Sequence, residues 1–370
     1  MKLFLGLIAA GGLMALGERN EWPVARAGAG LSGQVGVALP KKPEVRWMVA
    51  GDGAIIGEAV VSQDVVVFGN SSGILMAVDL ETGKKKWSRE FEQSFEAAPA
   101  ILDNTIFIGC EDTKLYALNL ADGKEKWSVE TNDKITAGVN LTKSPEGKGT
   151  WIVMNGYDGV SRALDAATGK EIWKHETEQP INGTPAVVDG KWVVFGGCDH
   201  CLYTLDLKTG KPLQQVEGEA PIVSTVGTDG SFVAWGDHSN QVMGADLQEG
   251  SLKWKYSDRQ FPFMAAPAVD SKNVYIGGRD KRIHAISRSS GEAVWKFKTG
   301  GRVESAPILF TDALVCGSSD GRLYALDLKD GKEIWKVDLG ESLVAAASYA
   351  KGTILLGSED GTLFALGAKK

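Results

Sequence analysis

From Glu44 to the C-terminus, short apolar runs alternate with polar punctuation, and the alternation itself repeats. One unit reads as a small or Ala-Pro stretch, an aliphatic run ending in Gly, a polar turn, then L-x-A-L-D and T-G-K-x-x-W; residues 98–127 and 306–335 show the whole cycle. The aliphatic runs have strand character. Thr105-Ile106-Phe107-Ile108, Trp192-Val193-Val194-Phe195 and Asn273-Val274-Tyr275-Ile276 are β-branched and aromatic, bounded by Gly, Asp and Asn. No 3.6-residue apolar stripe is sustained outside the N-terminal leader. Each unit therefore predicts four antiparallel strands, A to D, with the Trp on D.

The position four residues after the turn glycine serves as a ruler: Trp47, Trp87, Trp127, Trp173, Gln214, Trp254, Trp295 and Trp335, spaced by 40 to 46 residues. That period belongs to propeller blades or helical arrays, and the strand pattern selects the propeller. The last unit stops at L-F-A-L-G-A-K-K without reaching a Trp strand, and the one unclaimed strand of that kind is Glu44-Val45-Arg46-Trp47. The expectation is an all-β, eight-bladed β-propeller of four-stranded antiparallel blades over 44–370, its ring closed by the N-terminal strand completing the last blade. Closure protects strand edges that an open stack would expose.

Composition narrows the class. A net charge of −7 argues against nucleic acid or an anionic membrane as the main partner. Residues 1–17 read as a signal peptide: Lys2 supplies the positive start, Leu3 to Leu16 the apolar stretch, and Ala15-Leu16-Gly17 the small cleavage residues. The stretch is shorter than the roughly 20 residues of a membrane span, and no Cys near its end offers lipid attachment. Residues 18–43 are expected to be an extended segment. The mature chain is then periplasmic or secreted, without a transmembrane segment, and a monomer.

Three residue sets invite a functional reading. Trp47, Trp87, Trp127, Trp173, Trp254, Trp295 and Trp335 recur once per blade on the outermost strand. They cannot converge on a ligand; wedging between blades, each burying about 150–250 Å², is their expected role. Gln214 breaks the series, so its blade is expected to dock most weakly. In the B–C turns, Asp112, Asp158, Asp199, Asp280, Asp320 and Asp360 occupy one repeat position, with Ser72 and Ser239 in the other two units. These carboxylates form either a ring on one face of the disc or simple turn caps, and blades about 10 Å or more apart cannot share a cation with bonds of about 2.3–2.6 Å. Small residues, among them Ala59, Pro99, Pro267, Pro307 and Ala347, are expected to line the channel, with Glu58, Glu96, Asn182, Arg302 and Glu304 edging its funnel. Together with the acidic turns, these last residues mark the candidate binding face.

Cys198-Asp199-His200-Cys201 lies on a B–C turn, where the ends approach within about 7 Å. A local disulfide between Cys198 and Cys201, a pair of inert thiols, and a metal or redox site all remain open there. Cys110 and Cys316 fall on distant blades and are expected to stay free. His175, His200, His238 and His284 are scattered over separate units, and no G-x-S-x-G, H-E-x-x-H or phosphate-binding loop occurs. The sequence shows no catalytic constellation.

The repeat A-[LV]-D-x-x-T-G-K-x-x-W, seen at 77–87 and 163–173, resembles the pyrroloquinoline-quinone (PQQ) repeat of a β-propeller family. Trp22-Pro23 with Arg26 and Gly30 resembles the W-P-x-x-R-G-x-x-G opening that precedes such propellers in exported bacterial proteins, with Ala27 in place of its first Gly. The resemblance implies one of two branches. Quinoprotein dehydrogenases bind PQQ and calcium at the propeller centre through an adjacent Cys-Cys pair, metal-binding Glu, Asn and Asp, and a catalytic Asp; this chain has no Cys-Cys pair. The propeller lipoprotein of the outer-membrane β-barrel assembly machinery is similar in size and blade count, holds no cofactor, and carries a lipidated Cys that is absent here. The expectation is accordingly an exported, non-catalytic module that binds another cell-envelope protein, with no cofactor. The alternatives are a PQQ- and calcium-dependent dehydrogenase and a small-ligand or glycan-binding propeller.

Overall fold

The computed structural model describes residues 20–368; the leader at 1–17 lies outside them. Among the described residues, eight four-stranded antiparallel sheets follow one another round a ring. Blade 1 is built from Val60–Ser62, Val65–Gly69, Ile74–Asp79 and Lys85–Glu90, and blades 2 to 7 repeat that order over 100–130, 140–176, 186–217, 227–256, 268–298 and 308–338. Blade 8 takes strands A to C from Ser348–Ala350, Thr353–Gly357 and Thr362–Gly367, and its D strand from Glu44–Ala50, antiparallel to Thr362–Gly367. The ring is an eight-bladed propeller closed by its N-terminal strand, as the truncated last repeat implies.

The core is a set of seams between blades rather than one centre. Val67, Leu75 and Ala77 of blade 1 pack on Ile101, Ile106 and Ile108 of blade 2, and comparable clusters recur round the disc. Strand D is marked by one construction. Each Trp stands opposite a small residue on strand C, as in Ala77 with Trp87, Ala163 with Trp173 and Gly244 with Trp254, and a register shift follows at that pair. The indole then crosses to the next blade. A Cβ on Gly83, Gly123, Gly210 or Gly331 would lie within 3 Å of the ring of Trp47, Trp87, Trp173 or Trp295 respectively, and all four glycines have φ near +70°. The turn glycine is required twice over, by its left-handed backbone and by the ring lying on it. Indole Nε1 donates to the carbonyl oxygen of Leu80, Leu120, Leu207, Arg288 and Leu328 from Trp47, Trp87, Trp173, Trp254 and Trp295. Trp335 Nε1 is buried without such a partner.

Gln214 keeps the hydrogen bond and loses the bulk. Its Nε2 donates to Gln248 O at 3.1 Å, and its amide lies against Gly250 as the rings lie against the other glycines. Its strand-C partner is Thr204 rather than Ala or Gly, and its Oε1 is buried without a donor.

The segment before blade 8 has a structure the sequence pattern does not announce. From Trp22 to Leu39 it runs as a strap along the inner A strands. Trp22 exchanges two backbone hydrogen bonds with Val61; then Ile101, Val187, Val269 and Leu309 donate their N–H groups to the carbonyls of Pro23, Ala29, Ser32 and Gly33. Asn140 and Thr228 reach Ala29 and Gly30 with side chains, so blades 1 to 7 are each tied to the strap. Strap residues join the seams as well, Trp22 and Val35 between blades 7, 8 and 1, and Leu31 between blades 4 and 5.

Candidate functional site

The strap makes the central channel one-ended. Its 3-10 turn, Ala25–Ala27, holds Arg26 at φ +56° and Ala27 at φ +72°, which turns the Arg26 side chain into the axis. Arg26 is 3% exposed; its Nη1 and Nη2 donate to Pro307 O (2.7 Å) and Pro267 O (3.1 Å) across two blades. Glu58, also buried, accepts from the Arg26 backbone N–H and from Trp22 Nε1. Burial pushes the Arg26 guanidinium below its ordinary pKa, and the Glu58 charge pulls it back up. A guanidinium and a carboxylate thus form the floor, both hydrogen-bonded, with Arg26 Nε alone left buried without an acceptor.

Above this floor a funnel of about 260 Å³ opens on the face carrying the B–C turns and D–A loops. Two staggered rings line it, because alternate residues of an extended strand face the axis. The inner ring includes Ala98, Gly138, Ala266, Ala306 and Ala346, and the outer ring Ile56, Glu96, Thr136, Asn182, Val223, Met264, Glu304 and Val344. The lining falls one residue away from the small positions expected of it, Pro99, Pro267, Pro307 and Ala347. Two of those prolines instead present their carbonyls to Arg26.

Of the predicted rim residues, Glu96, Asn182 and Glu304 face the funnel. Arg302 lies beside it: its Nε pairs with Glu304 at 3.0 Å and its Nη2 with Glu359 at 3.4 Å. Arg279 binds the other Glu304 oxygen at 2.5 Å. Glu96 differs, accepting no hydrogen bond and forming no salt bridge among the described residues; its charged neighbours Glu111 and Lys134 are bonded to each other at 2.8 Å. Burial raises the Glu96 pKa, Glu111 adds to the rise, and Lys134 only partly opposes it.

The acidic turns hold themselves. Asp112, Asp199 and Asp320 each accept from the backbone N–H two residues on and from the Tyr hydroxyl four residues on (Tyr116, Tyr203, Tyr324). Asp158 pairs with Arg162, Asp280 with Arg282 and His284, and Asp360 caps Thr362. Where the position is Ser72 or Ser239, the carboxamide of Asn70 or the carboxylate of Asp237 supplies the cap from two residues earlier. The structure places the six carboxylates round one face and engages each with its own turn, Asp158 and Asp320 accepting in addition from the backbone N–H groups of Asn132 and Gly300 in the loop after the preceding blade.

Cys198 and Cys201 are free thiols, so the local bridge is not formed; Cys198 Sγ accepts from Asn182 Nδ2 at 3.4 Å and Cys201 Sγ from Gln215 Nε2 at 2.9 Å. The two sulfurs are engaged by amides of different strands and loops. Burial pushes the Cys110 and Cys316 thiols up to about 12, which keeps them protonated and unreactive. No group of three or more His, Cys, Asp or Glu among the described residues is placed to hold a metal ion. The strap and Arg26 are the site features that sequence reasoning missed. The W-P-x-x-R spacing was their signal, visible only as a resemblance because nothing in it fixes where the chain will lie.

The sequence model of one family, described as outer membrane protein assembly factor BamB, matches residues 27–256 and 258–370. A search of curated proteins returns no match. Among solved structures, the chain is similar to BamB from Moraxella catarrhalis (18% identity, TM-score 0.73, covering 88% of this chain and 100% of that one). It is also similar to quinohemoprotein alcohol dehydrogenase from Comamonas testosteroni (14%, TM-score 0.79, 96% and 82%) and to the computationally designed Ika8 protein (20%, TM-score 0.77, 88% and 100%). At these identities the structural likenesses establish the fold alone.

Proposed function

The chain belongs to the outer membrane protein assembly factor BamB family, and on that premise we propose that it is an exported, non-catalytic scaffold that binds another cell-envelope protein through its open face. The observation that carries this reading is the asymmetry of the disc. One end of the channel is occupied by the chain's own strap and Arg26, while the other presents the funnel mouth, with Ile56 of its lining 41% exposed and Phe261 of the D–A loop before blade 6 46% exposed. Large exposed apolar side chains rimmed by polar turns favour protein contact. Among the described residues no helix is long and apolar enough to cross a membrane, and export is proposed on the leader and the family.

The lining supports a scaffold over a quinone enzyme. PQQ is a planar tricarboxylate and needs cations and donors directed at it. The cation on the funnel floor, Arg26, gives both terminal nitrogens to backbone carbonyls and is faced by Glu58, while at the mouth Glu96 sets further negative charge and Arg279 and Arg302 are held by Glu304. These residues do not fit that group. Crosslinking and affinity capture from native envelopes, run beside titration with PQQ and calcium, separates the readings. A reproducible protein partner lost on charge substitution at Ile56 and Phe261 supports the scaffold; a calcium-dependent absorbing complex overturns it.

A further inference from the structure

We propose, resting on the scaffold reading, that the open face over blade 6 docks an acidic segment of the partner protein: a run of Asp and Glu carrying one large apolar side chain. The first sign is a reversal of charge at one repeat position. Strand D ends in Glu90, Glu130, Glu176, Glu217 and Asp338 in blades 1, 2, 3, 4 and 7, but in Lys298 in blade 6. Across the ladder, Lys114 stands opposite Glu130 and Arg322 opposite Asp338, whereas Arg282 stands opposite Lys298. Like charges directly opposite destabilise a strand pair, so blade stability does not account for that lysine.

The neighbouring loops extend the reversal. Arg259 and Phe261 lie on the D–A loop before blade 6 and Lys281 on its B–C turn, all exposed, as is Lys298. These segments touch: the Arg279 N–H donates to Pro262 O at 3.4 Å and the Thr299 N–H to Lys281 O at 3.0 Å. The carboxylates among them are already answered, Asp258 by Lys296, Asp280 by Arg282 and His284, and Glu304 by Arg279 and Arg302. Arg259, Lys281 and Lys298 form no ion pair among the described residues. Three uncompensated cations thus share one patch with an exposed phenyl ring.

The rest of the face has the opposite sign. Glu92, Asp133, Glu178 and Glu217 are exposed on its loops and strand ends and are likewise without an ion pair among the described residues. An anionic membrane, being flat, would meet these carboxylates together with the cations. A narrow acidic segment reaches the cations alone and is repelled elsewhere, which fixes where it lands. Phe261 offers it an apolar anchor among the charges.

Calorimetric titration of the full chain with the capped peptide Glu-Asp-Phe-Asp-Glu tests the surface, with Gln-Asn-Phe-Asn-Gln and phosphatidylglycerol-containing vesicles as comparisons. Saturable binding of the acidic peptide is expected, weakened about two- to fivefold by each of Arg259→Gln, Lys281→Gln and Lys298→Gln and about tenfold or more by all three together. Phe261→Ser should weaken it too. A control triple variant on the opposite face, Lys84→Gln with Lys124→Gln and Lys332→Gln, removes the same charge and should bind as the parent does. Thermal melting beforehand confirms that the variants fold. No binding at millimolar peptide, equal binding of the neutral peptide, or equal weakening by the control variant overturns the proposal. Vesicle binding lost with the same three cations overturns it as well, by giving the patch to lipid. In the envelope capture, a partner retained equally by the Arg259, Lys281 and Lys298 triple variant overturns the acidic-segment proposal and leaves the scaffold reading standing.

Discussion

Filling the gap in the Trp series requires two substitutions, not one. Gln214 stands where seven other blades have Trp, and an indole there would bury about 100 Å² more apolar surface than the Gln stem, worth about 2.5 kcal/mol. It would also remove the unpartnered buried Gln214 Oε1. Directly opposite, however, is Thr204, buried, where the other pairs have Ala or Gly. Gln214→Trp alone should therefore be close to neutral, its gain offset by about 1–3 kcal/mol of overpacking. Thr204→Ala alone should cost about 1 kcal/mol by leaving a small void. The double variant should be more stable than the parent by about 2 kcal/mol, a coupling of about 3 kcal/mol across one strand pair. Urea unfolding of the four proteins gives the cycle, and hydrogen exchange at residues 246–252 places the effect at the seam between blades 4 and 5. Additivity within about 0.5 kcal/mol would refute the pairing rule.

Other substitutions test the strap and the turns. Ala27→Gly should raise stability by about 1 kcal/mol in thermal unfolding, because Ala27 holds φ +72° where the resembling motif has Gly. Asp280→Asn should cost about 1–3 kcal/mol near neutral pH, since the carboxylate serves both Arg282 and His284. Burial alone would raise the Asp280 pKa, but His284 and Arg282 outweigh it and hold it below the ordinary value. Its contribution is thus present above about pH 4 and is lost as pH falls through the lower folded value, so parent and variant should converge in acid. Glu96 has the opposite sign: raised by burial and by Glu111, its ionisation opposes folding as pH rises above the ordinary carboxylate range. Glu96→Gln should therefore stabilise at neutral pH and lose that advantage in acid, read from melting temperature against pH.

The propeller was legible because each repeat writes its own local rules. The turn glycine, the small residue opposite Trp and the missing last Trp strand all act between sequence neighbours or adjacent blades, and from them the blade count and the role of Glu44–Ala50 follow. The funnel was half legible. Glu96, Asn182 and Glu304 could be placed near the axis from repeat position alone, but the one-residue phase of the lining could not, because it depends on how steeply each A strand enters the channel. The strap was not legible. Residues 20–43 have no period, and their order comes from backbone groups of blades 1, 2, 4, 6 and 7, which carry no side-chain signature, and from single side chains, Asn140 and Thr228 on the blades and Trp22 and Arg26 on the strap, whose partners lie up to 281 positions away. The acidic turns illustrate the converse: a repeated carboxylate looks like a shared surface, and each one is engaged by its own turn, with Asp158 and Asp320 also bonded to the adjoining loop.

The strap's closure of the inner strands is tested most directly by native-state hydrogen exchange on the intact chain. The amides of Ile101, Val187, Val269 and Leu309 point to strap carbonyls and to no neighbouring strand. Protection of these four comparable with that of ladder amides such as Ile106 and Val193, collapsing when the chain is begun at Glu44, is the expected result. Exchange of the four at loop rates in the intact chain would contradict it.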